Sequence, residues 1–381
     1  MGNINLDFYE EHKMAPEVQE NEEIYCRKRE KLFRQLGIPL ISFRNADVVE
    51  FGPNRGNNAL TLLTGFNGKI SGIDHIDLVE PNPYGREGML GLFQKHKIDE
   101  NKYTIYTEML EDFQKKREYD FIIAEEFIHY MPNWKQLIEC IKGIASANTI
   151  IIVTCTNEIG IYVERMKRLI ARYLIRGIEN QDSQILEIER IFTPQLTALK
   201  GMSRGIRSYI LDMFFDDVFL CQNTMSITDA IDAFGKEYDI LGCSQNVFID
   251  HSWFKDLSYD YHLSYKEQYH MKKHMYLLAG DTQESIRTVE DNNALEQAVI
   301  HANRLAAEFE KSKDLDMKEF RRTIDQVSKL ARMDQITKFN GELLEILERL
   351  DRNENVDLSE YCTWCDTFGE GSQYLSLAKK G

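Results

Sequence analysis

The chain has 381 residues and a formal net charge of −16 at pH 7, with 43% hydrophobic and 28% charged residues. These proportions are ordinary for a globular protein, whereas the acidic balance argues against a nucleic-acid partner, which usually requires a basic face. No apolar run approaches the length of a membrane span, and the first residues lack a basic segment followed by an apolar stretch, so we expect a cytoplasmic protein without a membrane span.

Short apolar segments rich in β-branched residues alternate with helical patterns in the first part of the chain. The first segment begins at Asp47 and runs into Glu50, and four more cover 73–79, 103–106, 119–124 and 148–155. This alternation indicates a parallel sheet covered by helices on both faces. We therefore predict an α/β fold with a doubly wound, Rossmann-like sheet, whose ligands bind at the carboxyl ends of the strands.

The remaining patterns suggest additions to this sheet. The segment after Glu158 is almost wholly helical and too long for a simple connection, so we predict a helical cap insert. Strands are predicted at 238–243 and 275–279, where they close the sheet. The predicted parts are a helical lead-in at 1–44, a core at 45–156, a cap insert at 157–236, the last strands with an aromatic-rich insert at 237–280 and a helical C-terminal extension at 281–381.

The C-terminal extension carries apolar positions at helical spacing among many charges. Leu305, Phe309, Phe320 and Ile324 belong to this stripe. Such a stripe packs either against a second copy, which gives a homodimer, or against its own domain. The sequence leaves both interpretations open.

The stretch Glu50-Phe51-Gly52-Pro53-Asn54-Arg55-Gly56 follows the first predicted strand and precedes a helical pattern. A turn of this kind presents free backbone N–H groups at a helix N-terminus, and glycine allows close approach of a ligand, which favours a nucleotide-like ligand. The dinucleotide fingerprint is incomplete because Asn54 and Asn57 stand where its second and third glycines belong. The Gly-Lys-Ser/Thr of a phosphate-binding loop is also missing.

These residues resemble the first motif of class I S-adenosylmethionine-dependent methyltransferases, and the order of the following elements is similar too. The resemblance implies a seven-stranded sheet with S-adenosylmethionine as cofactor. It places the turn residues Gly52, Pro53 and Gly56 against the methionine part of the cofactor. It also implies that Glu80, at the end of the second strand, accepts hydrogen bonds from the ribose hydroxyls, and that Glu50 fixes the turn and the cofactor's amino end.

Other residues near the strand ends complete the implied cofactor site. Met109 stands where many members of the family have an acid, which suggests that Met109 and Leu110 hold the adenine by apolar contact. Glu125 follows the fourth strand and is predicted to face the cofactor. Asn54 replaces a glycine often found in the turn, and asparagine tolerates the left-handed backbone conformation that this position requires.

A finer resemblance concerns methyltransferases associated with bacterial surface-polysaccharide biosynthesis. It is carried by Leu36-Gly37-Ile38-Pro39, by the turn after the first strand and by Gly201-Met202-Ser203-Arg204. It implies O-methylation of a small or sugar-like acceptor, which requires a base. His129 follows the fourth strand and has a suitable intrinsic pKa. The alternative for His129 is that it only orders its loop.

Further candidates lie in the later part of the chain. Asp250 and His251 form a second candidate acid–base pair, and Tyr259 belongs to an aromatic segment that suits a sugar or simply packs the insert. Arg204 and Arg207 suit an anionic group of the substrate or ordinary ion pairs.

The single Cys362-Thr363-Trp364-Cys365 motif lacks the second pair that a structural zinc site needs, so we expect no metal.

Two other functions stay open at this stage. One is a nicotinamide-dependent oxidoreductase, which the missing glycines disfavour. The other is a methyltransferase-like scaffold that binds partners through its helical additions without catalysis.

Overall fold

The computed structural model describes residues 4–16, 21–198, 204–220, 223–248, 253, 255, 260–280 and 287–381. Its centre is a seven-stranded sheet. The strands are β1 Asp47–Phe51, β2 His75–Val79, β3 Tyr103–Tyr106, β4 Phe121–Ala124, β5 Ile150–Cys155, β6 Tyr238–Cys243 and β7 Gln373–Lys379. Their order across the sheet is β3-β2-β1-β4-β5-β7-β6.

The helices lie around this sheet and in a separate helical layer. They are α1 Ile4–Glu11, α2 Glu22–Gln35, α3 Asn57–Leu63, α4 Gly65–Gly68, α5 Pro83–Lys95, α6 Trp134–Ile144, α7 Tyr162–Leu174, α8 Gln181–Ala198, α9 Ile206–Ile210, α10 Ile227–Phe234, α11 Tyr261–Lys272, α12 Val289–Ser312, α13 Met317–Ala331, α14 Asp334–Asp351 and α15 Cys362–Asp366. Helix α9 continues into a short π-helical segment, Leu211–Phe215.

The strand pairing places a topological switch point at β1. Strand β1 pairs in parallel with β2 on one side and with β4 on the other, so the chain leaves the centre of the sheet in two directions. Phe51, the last residue of β1, is in register with Val79 of β2 and with Ala124 of β4. The turns after these three strands therefore meet at one edge, which is where open α/β sheets bind ligands.

The side chains of each strand point alternately to the two faces of the sheet, so a hydrophobic core forms on each face. Val48 points to one face of the sheet and Val49 to the other, as the two-residue period of a strand requires. The first face is covered by α2, α3 and α5 and the second by α6 and α10. Both faces are apolar because helices exclude water from each of them.

The cap insert and the C-terminal extension form one helical unit. Buried residues from 159–215 and from 277–365 belong to a single hydrophobic cluster. Helix α7 lies at its centre and packs against α12 and α14. The apolar stripe of α12 and α13 is buried in this cluster, with Phe309 and Phe320 almost inaccessible. Of the two interpretations left open, the structure shows the stripe packed within its own chain.

One predicted strand is wrong. Residues Lys273–Leu277 form a buried 3₁₀-helix instead of a strand. The strand that pairs with β5 and β6 is β7, which lies within the predicted helical C-terminal extension at 281–381. A short continuous apolar run does not distinguish a strand from a buried helical turn, which explains the error. In β7, Leu375 and Leu377 alternate with Ser376, and the strand runs antiparallel to both neighbours.

Within the described ranges, no helix combines the length and the apolar character needed to cross a bilayer.

Candidate functional site

The turn after β1 has the unusual backbone that the sequence predicts. Gly52, Asn54 and Gly56 all have positive φ, at 67°, 51° and 78°. The Asn54 side-chain amide donates to the Gly52 carbonyl oxygen at 3.2 Å, which fixes the turn. Helix α3 starts directly afterwards. Asparagine therefore supports at position 54 the left-handed conformation that glycine usually supplies.

Glu80 at the end of β2 is tied to this turn. One carboxylate oxygen accepts the Asn54 backbone N–H at 2.7 Å, and the other accepts the Asn82 N–H at 2.9 Å. Burial raises the pKa of Glu80 to about 7, although the two N–H donors oppose the rise. Each oxygen keeps an acceptor position, so the carboxylate is able to receive two hydroxyl groups.

A small apolar cavity of about 100 Å³ lies beside Glu80, and we call it the donor cavity. Met109 and Leu110 line it from beyond β3, and Leu6 and Tyr9 of α1 line it from the N-terminal side. Its other apolar lining residues are Phe51, Val79, Pro81, Phe127, Met131 and Leu137. An apolar cavity beside a carboxylate that accepts hydroxyl groups suits a flat nucleobase joined to a ribose.

A much larger cavity of about 740 Å³ adjoins the donor cavity, and we call it the acceptor chamber. Its walls come from the turn after β1, α7, the segment 204–218 and the segment 368–374. The two cavities share five lining residues. These are Tyr9, Gly52, Asn54, Glu125 and Glu126. A ligand in the donor cavity and a second ligand in the acceptor chamber would therefore be neighbours.

Two predicted cofactor acids face the acceptor chamber. The Asn58 side-chain amide donates to one oxygen of Glu50 at 3.0 Å, while the other oxygen has no hydrogen-bond partner among the described residues. Burial raises the pKa of Glu50 to about 7. Glu125 accepts two hydrogen bonds from the Arg29 guanidinium, at 2.7 and 2.8 Å. Both carboxylates are placed to meet an ammonium group beside the turn.

His129 lies behind the cavity walls. Its side chain is fully buried, and neither ring nitrogen has a partner in the described part of the chain. Burial lowers the pKa of this imidazole to about 3. The neighbours Tyr130 and Met131 line the cavities, but His129 does not. Its carbonyl oxygen accepts the Met225 N–H at 3.0 Å. This position supports the loop-ordering alternative, and proton removal by His129 stays a prediction without geometric support.

The other predicted residues separate into two groups. Pro53 and Arg204 line the acceptor chamber, where Arg204 is ion-paired with Asp212. Gly56 lines neither cavity, because it packs against α5, where an added Cβ would lie 2.7 Å from Met89 Cγ. Arg207 is exposed and pairs with Glu189 at 2.7 Å, away from the chamber.

Asp250, His251 and Tyr259 lie outside the described residues.

Several chamber residues carry no local motif. Glu164 on α7 lines the chamber and accepts the Gly369 backbone N–H at 2.9 Å. Tyr209 and Asp216 come from the cap insert, and Tyr374 comes from β7. The one available signal is the glycine-flanked acid at Gly369-Glu370-Gly371, a pattern typical of a loop that approaches other backbone closely.

The cysteine pair near the C-terminus has a packing role. The Cys365 thiol donates to the Leu358 carbonyl oxygen at 3.1 Å and is buried, whereas Cys362 is exposed. Among the residues that the structure describes, no three His, Cys, Asp or Glu side chains are grouped as metal ligands.

The strand order, the glycine turn after β1 and the acid at the end of β2 together define a class I methyltransferase fold. Residues 18–188, which include β1 to β5, match the model of the family described as methyltransferase domain. This part of the chain is therefore similar to methyltransferase domains. The predicted fold is confirmed, and the family match agrees with the predicted enzyme class and cofactor.

Comparison with solved structures gives remote likenesses. A Galdieria sulphuraria protein named as a candidate sarcosine dimethylglycine methyltransferase is 10% identical, over 94% of this chain and 84% of that chain, with a TM-score of 0.37. PKMT2 from Rickettsia typhi, in complex with AdoHcy, is 16% identical over 62% of this chain and 49% of that chain, with a TM-score of 0.38.

A candidate methyltransferase of Thermoplasma acidophilum is 18% identical over 30% of this chain and 45% of that chain, with a TM-score of 0.25. The chain spans about half of the length of the Rickettsia and Thermoplasma proteins. A search among curated proteins finds no match. At these TM-scores the likenesses carry no argument about substrate or mechanism.

Proposed function

We propose that the chain transfers a methyl group from S-adenosylmethionine to a small-molecule acceptor held in the acceptor chamber. The observation that carries this proposal is the pair of adjoining cavities at the ends of β1 and β4, one small and mostly apolar and the other larger and rich in carboxylates. When bound, the donor supplies an electrophilic methyl group. The protein then has to align the acceptor atom with that methyl group and exclude water.

Three kinds of contact hold the methyl donor in this assignment. Glu80 accepts the ribose hydroxyls, and Met109 and Leu110 pack on the adenine. Glu50 and Glu125 face the amino end of the methionine part. These assignments fit the two remaining acceptor positions of the Glu80 carboxylate and the unpartnered oxygen of Glu50.

A hydroxyl acceptor, as the resemblance to polysaccharide-associated enzymes predicts, is one candidate for the chamber. Tyrosine rings stack on the apolar faces of sugars, and Tyr25, Tyr130, Tyr209 and Tyr374 line the chamber. Such a hydroxyl must lose a proton, and Glu126, which lines both cavities and accepts hydrogen bonds from the Ser372 and Tyr374 hydroxyls, is the candidate base. A cytoplasmic location, a homodimer and a place in polysaccharide biosynthesis remain predictions.

Calorimetry with S-adenosylmethionine, S-adenosylhomocysteine and NAD tests the donor assignment. We expect the first two to bind and NAD not to bind. Binding of NAD alone would favour the oxidoreductase and contradict the proposal.

A second assay separates an enzyme from a silent scaffold. Purified protein is incubated with methyl-labelled donor and small-molecule acceptors, and labelled products and S-adenosylhomocysteine are measured by mass spectrometry. Donor binding without any acceptor-dependent release of S-adenosylhomocysteine would favour the scaffold.

A further inference from the structure

The acceptor chamber holds more carboxylates than its own cations balance. Two of its acids are paired, Glu125 with Arg29 and Asp212 with Arg204. Besides Glu50, four other chamber acids form no ion pair within 4.0 Å among the described residues. These are Glu126, Glu164, Asp216 and Glu370. These four acids have no assigned ligand once Glu50 and Glu125 have been assigned to the methyl donor.

Besides the oxygens of Glu50 and Asn58 beside the donor turn, two buried oxygen atoms in this chamber have no hydrogen-bond partner in the described ranges. One belongs to Glu164, which is 8% exposed, and the other to Asp212, which is 4% exposed. The second oxygen of Glu164 is fixed by the Gly369 N–H at 2.9 Å, so the carboxylate has a defined orientation. Unpartnered buried carboxylate oxygens are costly, and a ligand with a positive charge and N–H groups would satisfy them.

The buried cations near these acids make their hydrogen bonds elsewhere, although the Lys167 charge opposes the rise that burial causes in the pKa of Glu164. The Lys167 ammonium donates to the Cys365 carbonyl oxygen at 3.0 Å and lies 3.4 Å from the centre of the Phe368 ring. The Arg168 guanidinium bonds to Glu310 at 2.7 Å and to the Asp216 backbone carbonyl at 2.7 Å. Both cations lie behind the chamber wall. Arg55 lines the chamber but belongs to the turn on the donor side.

Burial leaves two of these acids poorly stabilised as anions. It raises the pKa of Asp216 and that of Glu370 to about 7. A cation placed among them would favour the ionised form and offset the cost of burial. An anionic acceptor, such as a sugar phosphate, would instead be repelled.

Aromatic rings complete the environment of a cation. Tyr9, Tyr130, Tyr209, Tyr374 and Phe368 line the same chamber. The electron-rich faces of such rings attract ammonium groups, most strongly where water is excluded. Carboxylates interleaved with aromatic rings are the combination that recognises an amine.

We propose that the acceptor is an amine, which enters the chamber as an ammonium ion and is methylated on nitrogen. This inference rests on the proposed function, because it names the acceptor for the same site. The ammonium nitrogen first loses one proton to a chamber carboxylate. Its lone pair then forms a bond to the methyl carbon as the carbon–sulfur bond breaks, and the bonding electrons of that bond remain on sulfur. The products are an N-methylammonium ion and S-adenosylhomocysteine.

Matched pairs of amines and alcohols test this proposal. The full chain is saturated with S-adenosylhomocysteine and titrated with three pairs in a calorimeter. The pairs are D-glucosamine with D-glucose, 1,4-diaminobutane with 1,4-butanediol, and tyramine with 4-(2-hydroxyethyl)phenol. We expect each amine to bind at least about tenfold more tightly than its hydroxyl partner, as the gain of a partly buried charge pair predicts.

Two variants locate the effect in the chamber. Glu164→Gln and Asp216→Asn each remove a charge with little change in shape. Either variant that still binds S-adenosylhomocysteine is expected to lose at least about threefold in amine affinity, with hydroxyl affinity unchanged. Glu179→Gln, an exposed acid outside the chamber, is the matched control and should alter neither.

The outcomes separate the two proposals. If S-adenosylhomocysteine binds but the amines bind no better than the alcohols, or not at all, the amine assignment is overturned and the methyltransferase proposal stands. Amine affinity that survives both chamber variants also overturns the assignment. If S-adenosylhomocysteine does not bind, the proposed function itself fails.

Discussion

At the scale of single residues, the site depends on carboxylates that are buried before any ligand arrives. Glu80 is held by two backbone N–H groups and still has acceptor positions for a ribose. Glu80→Ala should weaken binding of S-adenosylhomocysteine by about 1 to 3 kcal/mol, because the remaining N–H donors and the ribose lose their partner. Calorimetry measures this, with the exposed Glu87→Ala on α5 as control. Unchanged affinity would remove Glu80 from the site.

Glu50 should make the stability of the ligand-free protein depend on pH. Its pKa is raised by burial to about 7 from an ordinary value of 4.5. Below pH 4.5 the carboxyl is protonated in both the folded and the unfolded chain, and as the pH rises towards 7 only the unfolded chain releases the proton freely. Stability is therefore lost over this range, by up to about 3 kcal/mol.

Glu50→Gln removes this titration and keeps an oxygen for the Asn58 amide. Urea unfolding at pH 5 and pH 8 should show that the wild-type protein loses more stability than the variant as the pH rises. Parallel losses in the two proteins would show that Glu50 does not carry a raised pKa.

At the scale of elements, helix α1 closes the donor cavity. Leu6 and Tyr9 line it, and Tyr9 also lines the acceptor chamber. Tyr9→Ala should accelerate dissociation of S-adenosylhomocysteine by about tenfold, since roughly 1.5 kcal/mol of apolar cover is lost. Stopped-flow measurement tests this, with the exposed Glu10→Ala as control. Equal dissociation rates for the two variants would show that α1 does not cover the bound nucleoside.

At the scale of the whole molecule, buried ion pairs join segments that are distant in sequence. Arg168 on α7 pairs with Glu310 on α12 at 2.7 Å, and both side chains are almost fully buried. Arg168→Met should destabilise the fold by about 3 to 5 kcal/mol, because Glu310 loses its main partner. The exposed pair of Arg304 and Glu308 provides the control, and Arg304→Met should cost less than about 1 kcal/mol. Urea unfolding measures the stability of both variants. A loss of stability in Arg168→Met as small as that in Arg304→Met would contradict this role of Arg168.

The sequence by itself determined the parts of this protein that depend on neighbours along the chain. The strands β1 to β6, the left-handed Asn54 and the acid at the end of β2 all follow from local pattern, and they suffice for the class of fold and the methyl donor. Residues within one strand–turn–helix unit constrain each other directly, so their types and spacing carry the information.

Only the tertiary structure decided how the sheet closes and what lines the acceptor chamber. Strand β7 pairs with β5 although more than 200 residues separate them, and the contact from Gly369 to Glu164 spans 205 residues. The tertiary structure also places His129 behind the cavity walls and brings Glu164, Asp212 and Asp216 together in the acceptor chamber. Such groupings depend on how helices from two distant segments pack into one core, and no spacing within either segment encodes that packing.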